Sequence, residues 1–188
     1  MFPELGRIAR YAVTCVYGIA GPNHSRLSFV DIIDALEESP QPTILVLKQD
    51  FPPEIAGKVG LSGGNMTTAL KSIGCLGVVS DGPSRDIDEI RPMGFQYLLT
   101  GVCPGHGEMA VHAINIPVSV AGMDVSPGEI VRTNENSACK FPASKLEQVV
   151  KNLKLLKKEE SERMAALSKA KTAAEIRAIF TGQSYGTK

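Results

Sequence analysis

The sequence predicts an α/β protein with a β-rich second half and a C-terminal helical arm. Three observations carry this reading. Strand and helix patterns alternate as βαβαβ as far as residue 101, the order of a sheet with crossover helices. The stretch from Met109 to Asn134 then holds two strand patterns separated by turns, with the SPG of residues 126–128 as the clearest break. From Ser144 onward, apolar residues recur at helical spacing.

Each element has its own signal. IARYAVTCVYG (8–18) is rich in β-branched and aromatic residues and predicts a strand. FVDIIDALEES (29–39) follows Ser28, a candidate N-cap, and carries helical apolar spacing. The SPQP turn leads into TILVLKQ (43–49), a buried strand. The glycines of GKVGLSGGN form a turn, and Met66, Leu70 and Ile73 make the stripe of a helix over 65–73 ended by Gly74. A strand over 76–79, a short helix over 86–91 and a strand over 95–101 follow, and SACKFP (137–142) is the last short strand. The spacing divides the chain into a domain over 1–145 and an arm over 146–188.

The bulk numbers narrow the function classes. A length of 188 residues fits one domain with a real core. With 43% hydrophobic residues, 21% charged residues and no net charge, the chain lacks the electrostatic footprint of a nucleic-acid binder. The exception is local: residues 151–188 hold nine Lys/Arg against four Asp/Glu. The cysteines, Cys15, Cys75, Cys103 and Cys139, form no CxxC or Cys/His cluster, so neither a zinc knuckle nor a dithiol motif is read, and a reducing, cytoplasmic compartment is expected. Arg7 and Arg10 ahead of YAVTCVYGIAG faintly suggest a signal peptide, but Thr, Cys and Tyr interrupt that run and it alternates as a strand does. No stretch is long and apolar enough to span a membrane.

Two loops carry chemistry. In SGGNM, Gly63 and Gly64 precede a helix start whose free amides, at Asn65 and Met66, suit a carboxylate or phosphate. Alone, such a pair is more often only a turn. In DGPSRDIDE (81–89), Arg85 offers a planar fork for a carboxylate and Asp86 a hard oxygen for a divalent cation. Both loops open helices of consecutive units, so they can share one crevice at the carboxyl ends of the strands. A carboxylate-holding arginine beside a carbonyl-polarising cation suits enolate stabilisation. The residues fit a second reading equally well, in which Asp86, Asp88 and Glu89 favour a helix start and Arg85 pairs with one of them.

The blocks GRIARYAVTC, GGNMTTALKSIGCLGVVSDGPSRDIDE and IPVSVAGMDVSPGEIV, in this order, resemble the RraA-like family over about residues 6 to 150. That family includes 4-hydroxy-4-methyl-2-oxoglutarate aldolases, oxaloacetate decarboxylases and regulators of ribonuclease E. The resemblance implies a swivelling α/β/β domain, assembled as a homotrimer or hexamer with sites at subunit interfaces. It implies a pyruvyl-containing oxo acid as substrate, Mg²⁺ or Mn²⁺ as cofactor, and cleavage through a metal-stabilised pyruvate enolate. Arg85 would bind substrate and steady the enolate, Asp86 would ligate the metal, and the loop of Gly63, Gly64, Asn65 and Met66 would hold the pyruvyl carboxylate. The alternative within the family is a non-catalytic binding protein of the ribonuclease-inhibitor type.

The chain departs from the family pattern in three places. The acid that the aldolases carry ahead of the Arg-Asp pair falls at Gly64, and Asn65 beside it is no base at neutral pH. Asn134 and Asn136 stand where acids and a glycine are common in the family. The chain begins almost at its first strand, so the family's N-terminal helical segment is expected to be absent. The aldolases complete their metal shell from a neighbouring subunit's C-terminal helix. Glu159, Glu160 and Glu162 lie in that region, where three glutamates among lysines also read as a solvated face. His106, between two glycines, reads as a surface loop histidine ahead of a ligand contact. Asp81 is expected to end its strand ahead of orienting Arg85, Asp88 and Glu89 to cap the helix or stand behind Asp86, and His24 and His112 have no partner pattern; Glu89 also matches an acid that the resemblance places in some members three residues past the motif aspartate. The arm, with Val149, Leu153, Leu156 and Met164, reads as a packing or oligomer helix.

Overall fold

A computed structural model describes residues 2–22 and 26–182. His24 lies outside them. The chain divides into two compact units, Met1–Ala143 and Ser144–Lys188.

The first unit opens with β1 (Ile8–Gly18), α1 (Phe29–Glu38) and β2 (Thr43–Asp50). A short α2 (Pro53–Ala56) precedes α3 (Gly64–Ser72) and β3 (Cys75–Ser80). Then come α4 (Ile87–Ile90) and β4 (Gln96–Leu98). Strands β1 to β4 are parallel neighbours in sequence order, as the βαβαβ pattern predicts. Ser28 starts α1, its amide 2.6 Å from the Asp31 carboxylate.

The second half differs from the sequence expectation. Where two strands were expected between Met109 and Asn134 there are four: β5 (Ala110–Ile114), β6 (Val118–Val120), β7 (Met123–Val125) and β8 (Ile130–Thr133). Strand β9 (Ala138–Phe141) follows. The two extra breaks are turns whose residues lie at positive φ: Asn115 at 54°, Ala121 at 49° and Gly122 at 82°. Two of these are not glycine, so composition concealed them. Strand β1 is long enough to pair twice along one side, through Ile8–Tyr11 with β8 and through Cys15–Gly18 with β5, both antiparallel.

The seven-stranded sheet therefore runs β4-β3-β2-β1-β8-β9, with β5 also on β1. Helices cover one face, where Val13, Leu45, Leu47 and Val78 meet Ile32, Leu36 and Leu70. The β6–β7 hairpin covers the other, where Ile44, Val46 and Val131 meet Val118, Val120 and Val125. This is an α/β/β layering. Two elements are shorter than expected: Pro92 turns the end of the 86–91 helix into a tighter turn over Arg91–Met93, and β4 stops at Leu98 because Thr100 and Gly101 bond instead to the loop at Gly82–Ser84.

The second unit holds α5 (Leu146–Leu167) and α6 (Ala173–Thr181) in place of one continuous helical run. Thr172 caps α6 through a reciprocal bond pattern with Glu175. Neither helix has a buried residue. Among the described residues, no helix is long and apolar enough to cross a membrane.

Candidate functional site

Three segments are laced together at the carboxyl ends of β2, β3 and β4. The Leu61 amide donates to Pro83 O at 3.0 Å, and the Arg85 amide to Ser62 O at 3.1 Å. Ser84 N donates to Gly101 O at 3.1 Å, Cys103 N to Ser84 O at 2.9 Å, and Gly60 N to Gly105 O at 2.8 Å. The loop before α3, the loop after β3 and the segment after β4 thus form one piece, with Arg85 at its centre. Both loops that sequence singled out are bonded into this piece.

Arg85 is fixed at two points. Its Nη1 donates to Gly60 O at 2.5 Å, and its Nε stands 3.6 Å from Asp86 Oδ2. Its side chain is 16% exposed, enough for one edge of the fork to meet a ligand. Asp86 adopts φ 59°, ψ 30°, left-handed backbone that non-glycine residues visit at a cost and that aspartate tolerates better than most. Its Oδ2 accepts the Gly64 amide at 3.0 Å. The Asn65 and Met66 amides have no partner among the described residues, so the first turn of α3 points two donors outward.

Glu89, three residues past Asp86 on the short α4, reaches toward the same glycine pair. A β-carbon at position 64 would stand 2.6 Å from Glu89 Oε2 and 4.0 Å from Asp86 Oδ2. A β-carbon at position 63 would overlap Asp86 Oδ2 and stand 2.8 Å from Arg85 Nε. The glycine pair is therefore the space into which two carboxylates and a guanidinium reach. Gly64 leaves position 64 without an acid, and the Glu89 carboxylate occupies the room a side chain there would take. Sequence reasoning places Glu89 behind Asp86 or as a helix cap, and notes that it fits an acid sometimes seen three residues past the family's motif aspartate; its approach to Gly64 has no sequence signal.

Beneath these loops lies a cluster of buried hydroxyls. The Tyr97 hydroxyl is 2.7 Å from Ser62 Oγ and 2.6 Å from Thr67 Oγ1, and Ser84 Oγ donates to Ser62 O. Burial pushes the Tyr97 phenol up, against the opposing pull of Ser62, Thr67 and Ser84. This cluster left no sequence signal, because the four residues lie on separate elements.

Other candidates fall elsewhere. The Asp81 carboxylate is committed to Lys48, at 2.5 Å, and to the Gln49 amide, at 2.8 Å, so it closes β3. His106 is exposed and its Nδ1 meets Gly107 O. His112 meets Ile19 O at 2.9 Å. Glu162 pairs with Lys158 along α5 at 3.9 Å.

Among the described residues, no three His, Cys, Asp or Glu side chains gather as a metal cage. The Asp86 carboxylate still suits Mg²⁺ or Mn²⁺, hard ions that take one or two carboxylates and fill the remaining positions with water and substrate. A model for the RraA-like family, described as Aldolase/RraA, matches residues 9–138. The chain belongs to the RraA-like family. An uncharacterized protein of Methanocaldococcus jannaschii is 30% identical over 99 residues, 52% of this chain and 48% of that one. A protein of Halalkalibacterium halodurans named a putative 4-hydroxy-4-methyl-2-oxoglutarate aldolase is 24% identical over 140 residues, 73% of this chain and 64% of that one. The chain thus spans less than two thirds of the curated relatives it matches. The fold is also that of RraAS2 of Streptomyces coelicolor, described as an unusual member of the RNase ES inhibitor RraA protein family. Its TM-score is 0.66 at 22% identity, over 85% of this chain and 77% of that one. The family thus joins relatives named for aldol cleavage and for ribonuclease inhibition.

Proposed function

We propose that this chain is a divalent-metal-dependent lyase acting in the cytoplasm on a pyruvyl-containing oxo acid, as a homotrimer or hexamer. Its reaction is aldol cleavage of the 4-hydroxy-4-methyl-2-oxoglutarate type or decarboxylation of oxaloacetate. The observation that supports this is the meeting of Arg85, Asp86 and Glu89 at the Gly63–Gly64 helix start.

The outward amides of Asn65 and Met66 take the substrate carboxylate, with the helix dipole behind them. Arg85 approaches from the opposite loop, and its tie to Gly60 O keeps the fork from swinging. Asp86 would hold the metal, which when bound would polarise the oxo oxygen. In aldol cleavage the C4 hydroxyl loses its proton, the C3–C4 bond breaks, and the electron pair passes toward C2. Negative charge grows on the oxygen beside Arg85, where a guanidinium acts most strongly. C3 then takes a proton. Glu89, at the place the Gly64 departure leaves open, accepts the hydroxyl proton through a water and returns one. Decarboxylation needs no such base, because carbon dioxide leaves without surrendering a proton.

Pyruvate release from 4-hydroxy-4-methyl-2-oxoglutarate and from oxaloacetate, with and without Mg²⁺ or Mn²⁺, tests this reading. The expected result is metal-dependent turnover that Arg85→Ala lowers by roughly a hundredfold or more. If neither substrate reacts beyond the metal-only background and Arg85→Ala changes nothing, the reading fails. The second reading, a binding or ribonuclease-regulating protein, then stands, and Gly64 is the residue that favours it.

A further inference from the structure

The hydroxyls below the two loops have a direction. Thr67 has one hydroxyl proton, and it goes to Gly63 O at 2.8 Å. At 2.6 Å from Tyr97, Thr67 must then accept, so the phenol donates to it. With the phenol proton spent, Ser62 Oγ donates to the Tyr97 oxygen at 2.7 Å. The chain runs Ser62 to Tyr97 to Thr67 to the Gly63 carbonyl. That carbonyl also accepts the Thr67 amide at 2.9 Å. The far side of the same peptide is the Gly64 N–H, which donates to Asp86 Oδ2 at 3.0 Å.

We propose that Tyr97 is a positioning residue for the Asp86 carboxylate, acting through the Gly63–Gly64 peptide. This rests on the reading that Asp86 holds the metal. Tyr97 fastens the residue before the glycine pair to the first turn of α3, across a loop with almost no side chains of its own. Donation into the Gly63 carbonyl polarises that peptide and strengthens its N–H as a donor. The orientation of Asp86 is thereby set from the core, where Tyr97, Ser62, Thr67 and Ser84 are all 0–1% exposed. Groups that orient a ligating carboxylate in this way typically change metal affinity or activity by 10- to 100-fold when removed.

Tyr97→Phe in the full chain tests the proposal through two measurements. The Gly64 amide, followed by NMR, is expected to shift upfield and exchange faster with solvent. Mn²⁺ affinity, followed by electron paramagnetic resonance, is expected to fall roughly tenfold. Thr67→Val should do the same and Thr67→Ser should not, which also covers the case in which Tyr97→Phe fails to fold. Phe95→Leu, beside Tyr97 at 5.4 Å between ring centres, should lower the melting temperature and move neither signal. A purely structural Tyr97 would instead behave as Phe95 does, and an unmoved Gly64 amide overturns the proposal. Where the wild type binds Mn²⁺, an equal affinity in Tyr97→Phe also overturns it. If the Gly64 amide moves but the wild type binds no Mn²⁺, the positioning stands and the metal reading fails.

Discussion

The two loops that meet around Arg85 and Asp86 are built in opposite ways. The loop from Gly60 to Gly64 offers backbone: a carbonyl to Arg85, an amide to Asp86, and room where three side chains are missing. The loop from Asp81 to Glu89 offers side chains, and it holds Asp86 in left-handed backbone to aim them. Neither is a site alone. A glycine pair before a helix is a common turn, and an arginine among acids is a common surface cluster. The difference teaches that the emptiness of one loop sets the reach of the other.

The sharpest way to break that complementarity is to fill the empty side. Gly63 has φ −145°, ψ −170°, extended backbone open to any residue. Gly63→Ala therefore strains no backbone, and its cost is that of overpacking, about 1–3 kcal/mol, which leaves a folded protein to measure. Its methyl would displace the Asp86 carboxylate and press on Arg85 Nε. Binding of oxalate with Mn²⁺ should fall by roughly a hundredfold or more, by analogy with the loss of a well-placed charged contact. A folded variant with unchanged binding would mean that Asp86 and Arg85 do not act from their observed positions.

Removing the acid from the filled side separates the two reactions. Glu89→Gln keeps the shape and loses the base. Aldol cleavage should drop by roughly a hundredfold, the usual worth of general acid–base help, while oxaloacetate decarboxylation changes only a few-fold. Equal loss of both would assign Glu89 to metal holding rather than proton transfer. Gly64→Ala is milder. Its methyl meets the free end of Glu89, which can swing aside, so activity should fall roughly tenfold by misplacement of that group. Stability should rise by up to about 1 kcal/mol, because alanine favours the helix over glycine. A less stable variant would show that Gly64 is there for the fold.

How much of this was legible follows from where the information sits. Strands β1 to β3 and helices α1 and α3 follow their apolar periods closely, since each buries a full face. The antiparallel half is harder to read because Asn115 and Ala121, neither of them glycine, take positive φ where the chain turns. In the site, Arg85 and Asp86 announce themselves by residue type, and Gly63 and Gly64 by their place before a helix. The company of Glu89 with Gly64, and of Tyr97 with Ser62 and Thr67, is long-range. It exists only after β3 and β4 have paired, so no local pattern encodes it.

A second carboxylate in the molecule has the same kind of partners as Asp86 away from these two loops, and it bounds what such partners do by themselves. Glu129 takes the Ser126 amide at 2.8 Å and Lys140 at 2.9 Å, tying the turn before β8 to β9. Burial works against its charge, but the Ser126 amide and Lys140 prevail and hold the carboxyl below the ordinary glutamate value of 4.5. A depressed value in the folded state means stability that is complete above the unfolded value and lost as pH falls through the folded one. Glu129→Gln should therefore cost about 1 kcal/mol at pH 7, the scale of a well-placed but accessible pair. That cost should shrink toward zero as the pH is lowered past 4, in paired thermal melts of variant and wild type. Pyruvate release at pH 7 should be unaffected, because Glu129 serves only the fold. A cost that persisted at low pH would mean that Glu129 contributes shape rather than charge, and the likeness to Asp86 would then be one of geometry alone.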